Sequence, residues 1–475
     1  MSSKIPIVAI VGRANVGKSS LFNAMLGRRE AIVADEAGTT RDSIYGKASL
    51  GEGNDFWLVD TAGLKQAVDE FELSIQEQII QAADSADIIL VVAETNTQIT
   101  DEDRRVAKLA LKSRKPVILL VNKSDKAGRH LKEALEGFER LGIKHIIATS
   151  AIHRTGFGEL EEALDELLPK AAIREESDRI HLALLGRPNV GKSSLFNTLA
   201  KKQQAVVADR AGTTRDINRT VIKYHEREIE LLDTAGIRRS GRIERGVEHF
   251  SVLRALSAIE QSDVCLLLID ANEPSVALDQ KLAGMIKEAG KGMILVVSKW
   301  DAVEKDSYTH DHMSPQIAHD FDFVPWAPLI FTSSITGQNT NKIFDLILEI
   351  MERRARKITT GELNRWLEKQ IDKHPPAGLK NRQPKLRYMT QESDNLIPAF
   401  KIFGKDTRFV HWSYRRYLEK KLREAYDYIG TPIQLWFIEN TGKEKPAKDG
   451  IDWKKRLRPE QLPKKKGGSR PSKLA

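Results

Sequence analysis

Residues Gly12–Asn23 read GRANVGKSSLFN and residues Gly186–Asn197 read GRPNVGKSSLFN, one phrase written twice with a single difference, Ala14 against Pro188. Each copy follows a short apolar run and opens a stretch with helical spacing. That is the setting in which G-x-x-x-x-G-K-S/T forms a phosphate-binding loop. The glycines let backbone N–H groups close around phosphate oxygens, and the following helix adds the positive end of its dipole. On this reading Lys18 and Lys192 neutralise the terminal phosphates, while Ser19 and Ser193 offer hydroxyls to Mg2+. A chance glycine turn does not explain two matches in the same context.

The repetition runs well beyond the loop. Lys18 and Lys192 are 174 residues apart, and AGTTRD recurs from Ala37 to Ala211 at the same offset. DTAG recurs from Asp60 to Asp233 at 173, and NKSD at Asn122 is matched by SKWD at Ser298 at 176. Four phrases in one order at nearly constant offset mark a duplicated domain, not a solenoid. In the first copy IPIVAIVG, FWLVD, DIILVVA, PVILLVN and HIIATS read as strands, separated by helical stretches; IHLALLG, EIELLD, VCLLLID and GMILVVS match them in the second. Thr100 and Asp103 form an expected capping box at one helix start. Alternating strands and helices predict an α/β fold: two P-loop domains, each a mainly parallel sheet with helices on both faces.

The expected division is residues 1–169 and 180–354 for the two copies, joined by a polar linker at 170–179. A small α+β region follows at 355–440. It contains the strand candidates PKLRYMTQ, PAFKIFG and TPIQLWFIE and the helix candidates TGELNRWLEKQIDKH and WSYRRYLEKKLREAYDYIG. The second helix is expected to bury Tyr417, Leu418, Leu422, Ala425, Tyr426 and Ile429 on one face. Residues 441–475 are poor in apolar side chains and are expected to be a disordered tail.

Bulk properties agree with this division. A chain of 475 residues is too long for one core, and 41% hydrophobic with 30% charged residues suits a globular protein. Apolar runs such as Ile88–Ala93 are of strand length, so no membrane span is expected. The opening MSSKIPIVAIVG reads as a first strand, not a leader peptide. One cysteine, Cys265, rules out an intrachain disulfide and fits a reducing cytoplasm. The tail carries twelve basic against four acidic residues, +8 of the chain's +9, which suits a polyanion such as RNA.

The remaining phrases define a nucleotide site. Asp60 and Asp233 end apolar strands, where ligands bind in open α/β sheets. There each would hold Mg2+, with Thr61, Ala62, Gly63 and Leu64, or Thr234, Ala235, Gly236 and Ile237, facing the γ-phosphate. In Asn122, Lys123, Ser124 and Asp125 the carboxylate would accept two N–H groups of guanine that adenine lacks, selecting GTP. Ser298, Lys299, Trp300 and Asp301 stand in the matching place. Ser150 and Ala151, or Ser333 and Ser334, would present a backbone amide to the guanine oxygen. In the loops themselves Gly12, Arg13, Ala14, Asn15, Val16 and Gly17 correspond to Gly186, Arg187, Pro188, Asn189, Val190 and Gly191. Thr40 and Thr214 would complete the Mg2+ shell when GTP is bound and so order a switch loop. Arg238, Arg239, Arg242 and Arg245, just past the second DTAG, would form a basic patch governed by nucleotide. Leu64 and Ile237 fill a position where many GTPases carry a water-orienting glutamine, so slow intrinsic turnover is expected.

GRPNVGKSSLFN, GTTRD, DTAGIRRSGRIERGVEHFSVLRAL, SKWD and TPIQLWF resemble the translation-factor-related GTPases, and among them the Der (EngA) family of tandem-domain bacterial GTPases. The resemblance spans about residues 5–440. It implies GTP hydrolysis, a role in assembling the large (50S) ribosomal subunit with rRNA as partner, a KH-like third domain and a monomer. It also implies that Asn15 and Asn189 help hold K+ where other GTPases use an arginine finger. Ser298 departs from the family's Asn, which would weaken guanine binding at the second site; Ser334 and Ala14 are smaller departures. The third region has no GXXG loop, the usual RNA clamp of a KH domain. Its aromatics Tyr388, Phe400, Phe403, Tyr417, Trp436 and Phe437 read as core, leaving RNA contact to Lys385, Arg387, Arg415, Arg416 and the tail. Two other readings stay open at this point: an RNA-binding scaffold whose nucleotides are structural ligands, and a GTPase of membrane transport or tRNA modification.

Overall fold

The computed structural model describes residues 5–26, 45–50, 55–61, 75–95, 98–128, 131–169, 179–202, 219–232, 252–304, 308–379, 382–393 and 397–439. Thr40, Thr214, Ala62, Gly63, Leu64, Asp233, Thr234, Ala235, Gly236, Ile237, the arginines after it and the basic tail lie outside the described residues.

Continuous apolar runs make the central strands, as expected where both faces are covered. In the first copy these are β1 (Ile7–Val11), β2 (Tyr45–Ser49), β3 (Asp55–Asp60), β4 (Ile88–Glu94), β5 (Val117–Asn122) and β6 (His145–Ala148), in the order β2-β3-β1-β4-β5-β6. All pairs are parallel except the edge pair β2–β3. Helices α1 (Lys18–Leu26) and α5 (Phe157–Leu167) cover one face; α2 (Ile75–Ser85), α3 (Asp101–Lys112) and α4 (Leu131–Phe138) pack towards the other. The capping box at Thr100 and Asp103 is formed.

The second copy repeats this order with β7 (Ile180–Gly186), β8 (Arg219–Tyr224), β9 (Arg227–Leu232), β10 (Val264–Asp270), β11 (Gly292–Ser298) and β12 (Leu329–Phe331). Its helices are α6 (Lys192–Lys202), α7 (Val252–Gln261), α8 (Ala277–Glu288), α9 (Thr309–Asp320) and α10 (Thr340–Ala355). Strands β2 and β8 were not evident from the sequence. The β8–β9 hairpin turns at His225 and Glu226, both with positive φ (45° and 63°), where glycine or asparagine would have signalled the turn.

The two copies meet through α2 and α7, the first described helices after the two DTAG phrases. Ile79 and Ala82 join Leu253, Leu256 and Ile259 in one apolar core that also takes in Trp57 of β3. At its centre Glu260 of α7, buried, accepts the Trp57 indole N–H at 2.7 Å and the Ile5 amide at 3.3 Å.

The third region has α11 (Thr360–Lys373), β13 (Lys385–Gln391), β14 (Ala399–Lys405), α12 (Trp412–Tyr426) and β15 (Gln434–Glu439). The sheet is ordered β13-β14-β15, antiparallel then parallel, with both helices packed on one face. Helix α12 buries Tyr414, Leu418 and Leu422 and stops at Asp427, whose φ of 50° ends the helix. Ile429 therefore lies beyond the helix and is exposed, and Tyr428 takes the buried place instead. The aromatics also divide. Phe400 is buried, and Tyr417 and Phe437 pack against the same core, but Tyr388, Phe403 and Trp436 point from the other side of the sheet. Strand alternation decides this: Met389–Ile402 and Tyr388–Phe403 are successive cross-strand pairs, so if one is core the other is not.

Candidate functional site

Each glycine phrase leaves the carboxyl end of a fully buried strand, β1 or β7, and wraps into a helix N-terminus. The loops share an unusual backbone. Asn15 and Asn189 adopt φ of 64° and 61°, and Gly17 and Gly191 adopt 93° and 101°. A Cβ on Gly12 would stand 2.6 Å from the Val92 carbonyl oxygen, and one on Gly186 would stand 2.7 Å from that of Leu268. Val16 and Val190 are buried beneath the loop, leaving Ala14, Asn15 and Asn189 exposed. The Lys18 ammonium donates to the carbonyls of Gly12 at 2.9 Å and Arg13 at 2.6 Å. Lys192 donates likewise to Gly186 and Arg187 at 3.1 and 2.6 Å. Both lysines thus sit inside the concavity of their own loop.

At the mouth of the first site the Ser19 hydroxyl donates to Asp60 Oδ2 at 2.6 Å. A hydroxyl in contact with a carboxylate at a sheet's carboxyl end is a fitting oxygen donor set for a hard divalent cation such as Mg2+. Thr61 is tied back to strand β1 by its hydroxyl, which donates to the Ile10 carbonyl at 2.7 Å. In the second site Ser193 is exposed at the matching place.

Strands β5 and β11 deliver the second half of each site. Asn122 bridges two loops: its Nδ2 donates to the Val16 carbonyl at 2.9 Å, and its Oδ1 accepts the Ala151 amide at 3.3 Å. Lys123 follows with left-handed φ (61°), donates to the Asn15 carbonyl at 3.0 Å and pairs with Glu94 at 2.9 Å. Ser124 is buried; the exposed Asp125 accepts the Ser150 hydroxyl at 2.6 Å. That hydrogen bond holds the Asp125 carboxyl below its ordinary range, keeping it ionised.

The second site is built differently. Ser298 donates through Oγ to the Val190 carbonyl at 2.6 Å, with the Ile269 carbonyl at 3.1 Å, and no bond joins it to Ser334. Lys299, again with positive φ (56°), pairs with Asp270 at 2.7 Å. Trp300 is buried against Phe331. Ser333 accepts the amides of Ile335 and Thr336, so no described side chain steadies the exposed Asp301. The Ser334 carbonyl accepts the Thr198 hydroxyl at 3.0 Å.

Sequence reading missed an acidic support under each loop. Arg13 pairs with Glu94 and with buried Asp103, at 3.7 and 3.3 Å; Arg187 pairs with Glu273 and buried Asp279, at 2.6 and 3.2 Å. The signal was present: Asp103 and Asp279 share the 176-residue offset of NKSD and SKWD, and so do Glu94 and Asp270, which pair with Lys123 and Lys299. Burial pushes the Asp279 carboxyl up to about 6, against the pull of Arg187.

A family model described as "50S ribosome-binding GTPase" matches residues 7–123 and again 181–299. A second, "KH-domain-like of EngA bacterial GTPase enzymes, C-terminal", matches 357–437. The chain is 43% identical over 447 residues to GTPase Der of Chloroflexus aggregans, covering 92% of this chain and 99% of that one. To GTPase Der of Herpetosiphon aurantiacus it is 43% identical over 441 residues, covering 91% and 96%.

Proposed function

The chain belongs to the GTPase Der family and hydrolyses GTP, and we propose that its two nucleotide sites act as switches in assembly of the large ribosomal subunit in the cytoplasm. The working division is residues 1–169, 180–354 and 355–440, with a linker at 170–179 and the tail at 441–475. The observation that carries the reading is the Asn122 bridge, which ties the phosphate loop at Val16 to Ala151, next to the Ser150 hydroxyl that holds the base-reading Asp125. One rigid unit then grips both ends of a guanine nucleotide.

The geometry of the described residues supports the following roles. Lys18 and Lys192, held in their loops by two carbonyls each, exchange those contacts for β- and γ-phosphate oxygens. Asp125, and less firmly Asp301, reads guanine. Ser19 with Asp60, and Ser193 with Asp233, would hold Mg2+, joined by Thr40 or Thr214; the ion supplies charge neutralisation at the β- and γ-phosphates. The exposed Asn15 and Asn189 would hold K+ beside the phosphates. The packing of α2 on α7 supports coupling, since each is the first described helix after its DTAG phrase. A change at one γ-phosphate would then reach the other site.

Sedimentation with purified 50S subunits tests this. The expected result is association that differs between GDP and a non-hydrolysable GTP analogue. Association that ignores nucleotide in wild type and in Lys18→Ala and Lys192→Ala variants would favour the scaffold reading instead.

A further inference from the structure

The three-stranded sheet of the third region carries α11 and α12 on one face only. The opposite face is ordered in cross-strand rows. One row is Thr390, Lys401 and Trp436; the next is Tyr388, Phe403 and Ile438; Lys385 and Lys405 follow. Tyr388 and Phe403 stack with centroids 4.5 Å apart and planes 10° from parallel, and the outer ring, Tyr388, is 38% exposed. Lys401 Nζ stands 5.7 Å from the Trp436 centroid and also pairs with Glu392. Aromatics of this kind belong in a core, and here they lie on a face where Tyr388 and Ile438 meet solvent.

We propose that this face is a stacking platform for unpaired RNA bases, with Tyr388–Phe403 taking one base and Trp436 another. Stacking suits any base because every base has a π face, and sheet-borne aromatics serve this purpose in other RNA-binding modules. The two rows are two residues apart along the strands, roughly 7 Å, which lets neighbouring bases be splayed onto separate rings. Charge selects RNA over a protein partner. Lys385, Arg387 and Lys405 are exposed around the rings, and Glu392, an acid at that face among the described residues, is already paired to Lys401. The inference rests on the reading that the protein works on ribosomal RNA, and it names the surface that would touch unpaired segments. It moves the contact from the helical side, with Arg415 and Arg416, to the open side of the sheet.

The test uses the full chain with GDP and a fluorescent oligouridylate of about ten nucleotides, followed by anisotropy over a series of salt concentrations. Tyr388→Ala and Trp436→Ala should each weaken binding roughly 5- to 100-fold. The salt dependence should be unchanged, because phosphate contacts remain. Tyr388→Phe and Trp436→Phe should bind as wild type, showing that loss comes from the ring and not from misfolding. Trp412→Ala, on the exposed side of α12, should have no effect. The proposal is overturned if both alanine variants bind as wild type, if Trp412→Ala matches their loss, or if duplex RNA binds as well as the single strand. It is equally overturned if the alanine variants keep RNA affinity and lose only a protein partner. Sedimentation with 50S subunits separates the two ideas: wild type that sediments while the alanine variants bind oligouridylate normally sinks the platform alone. Wild type that does not sediment, with loss in the alanine variants, sinks the ribosomal reading alone.

Discussion

Replacing Glu260 tests whether the two GTPase domains hold each other as the geometry implies. The residue is 3% exposed, and its carboxylate accepts from the Trp57 indole at 2.7 Å and the Ile5 amide at 3.3 Å and lies 3.9 Å from the Lys291 ammonium. Lys291 is itself buried and donates to the Glu260 carbonyl at 3.0 Å. Burial drives the Lys291 pKa down and Glu260 opposes that drive. Glu260→Ala removes the countercharge and the acceptor of two donors, which should cost about 3–5 kcal/mol, the range for breaking a buried ion pair. Glu260→Gln keeps an acceptor and the volume but not the charge, so about 1–3 kcal/mol is expected. Trp57→Phe removes one donor to a buried carboxylate, for about 1.5–3 kcal/mol, with a further cost for the ring volume it vacates. In a double-mutant cycle Trp57→Phe and Glu260→Ala should couple by roughly 0.5–3 kcal/mol, as groups in direct contact do. Urea unfolding followed by fluorescence gives the energies, and small-angle scattering without urea reports whether the domains separate. If Glu260→Ala unfolds within about 0.5 kcal/mol of wild type and its scattering is unchanged, the contact does not join the domains in solution.

Other outcomes follow from differences between the sites. Ser298→Asn restores an amide able to donate to Val190 and accept from Ser334; in a Lys18→Ala background it should tighten fluorescent GDP binding about 5-fold, one hydrogen bond's worth, and an unchanged Kd would count against the bridge. Turnover of GTP in KCl should exceed that in NaCl, with the advantage lost in Asn15→Ala combined with Asn189→Ala; equal rates in both salts would remove K+ from the mechanism. Asp279 has a folded pKa raised to about 6 from 3.8, so its contribution to stability is greatest below pH 3.8 and is lost as pH rises towards 6, by about 3 kcal/mol. Asp279→Asn should therefore flatten the stability profile between pH 4 and 6 in urea titrations, with Glu273 still pairing Arg187.

Covalent order was enough for much of this protein. Two phrases with fixed spacing, each between an apolar run and a helical stretch, determined a doubled α/β architecture, because a parallel strand–helix alternation has few ways to bury both faces of its sheet. Residue identity at single positions also spoke directly, as at Ser298, whose short hydroxyl donates to the Val190 carbonyl without a bond to Ser334, where the longer Asn122 amide joins Val16 to Ala151. The edge strands β2 and β8 were not legible, since edges carry mixed polarity and the turn at His225–Glu226 lacks a glycine. The recurrence of Asp103 as Asp279 marked an acid without naming its partner; Arg13 and Asp103, like Trp57 and Glu260, lie 90 and 203 residues apart and meet only when the chain folds. The aromatics of β13, β14 and β15 make the same point. Composition marked them as apolar, but which ring faces the core depends on strand register, and register is fixed by partners distant in sequence.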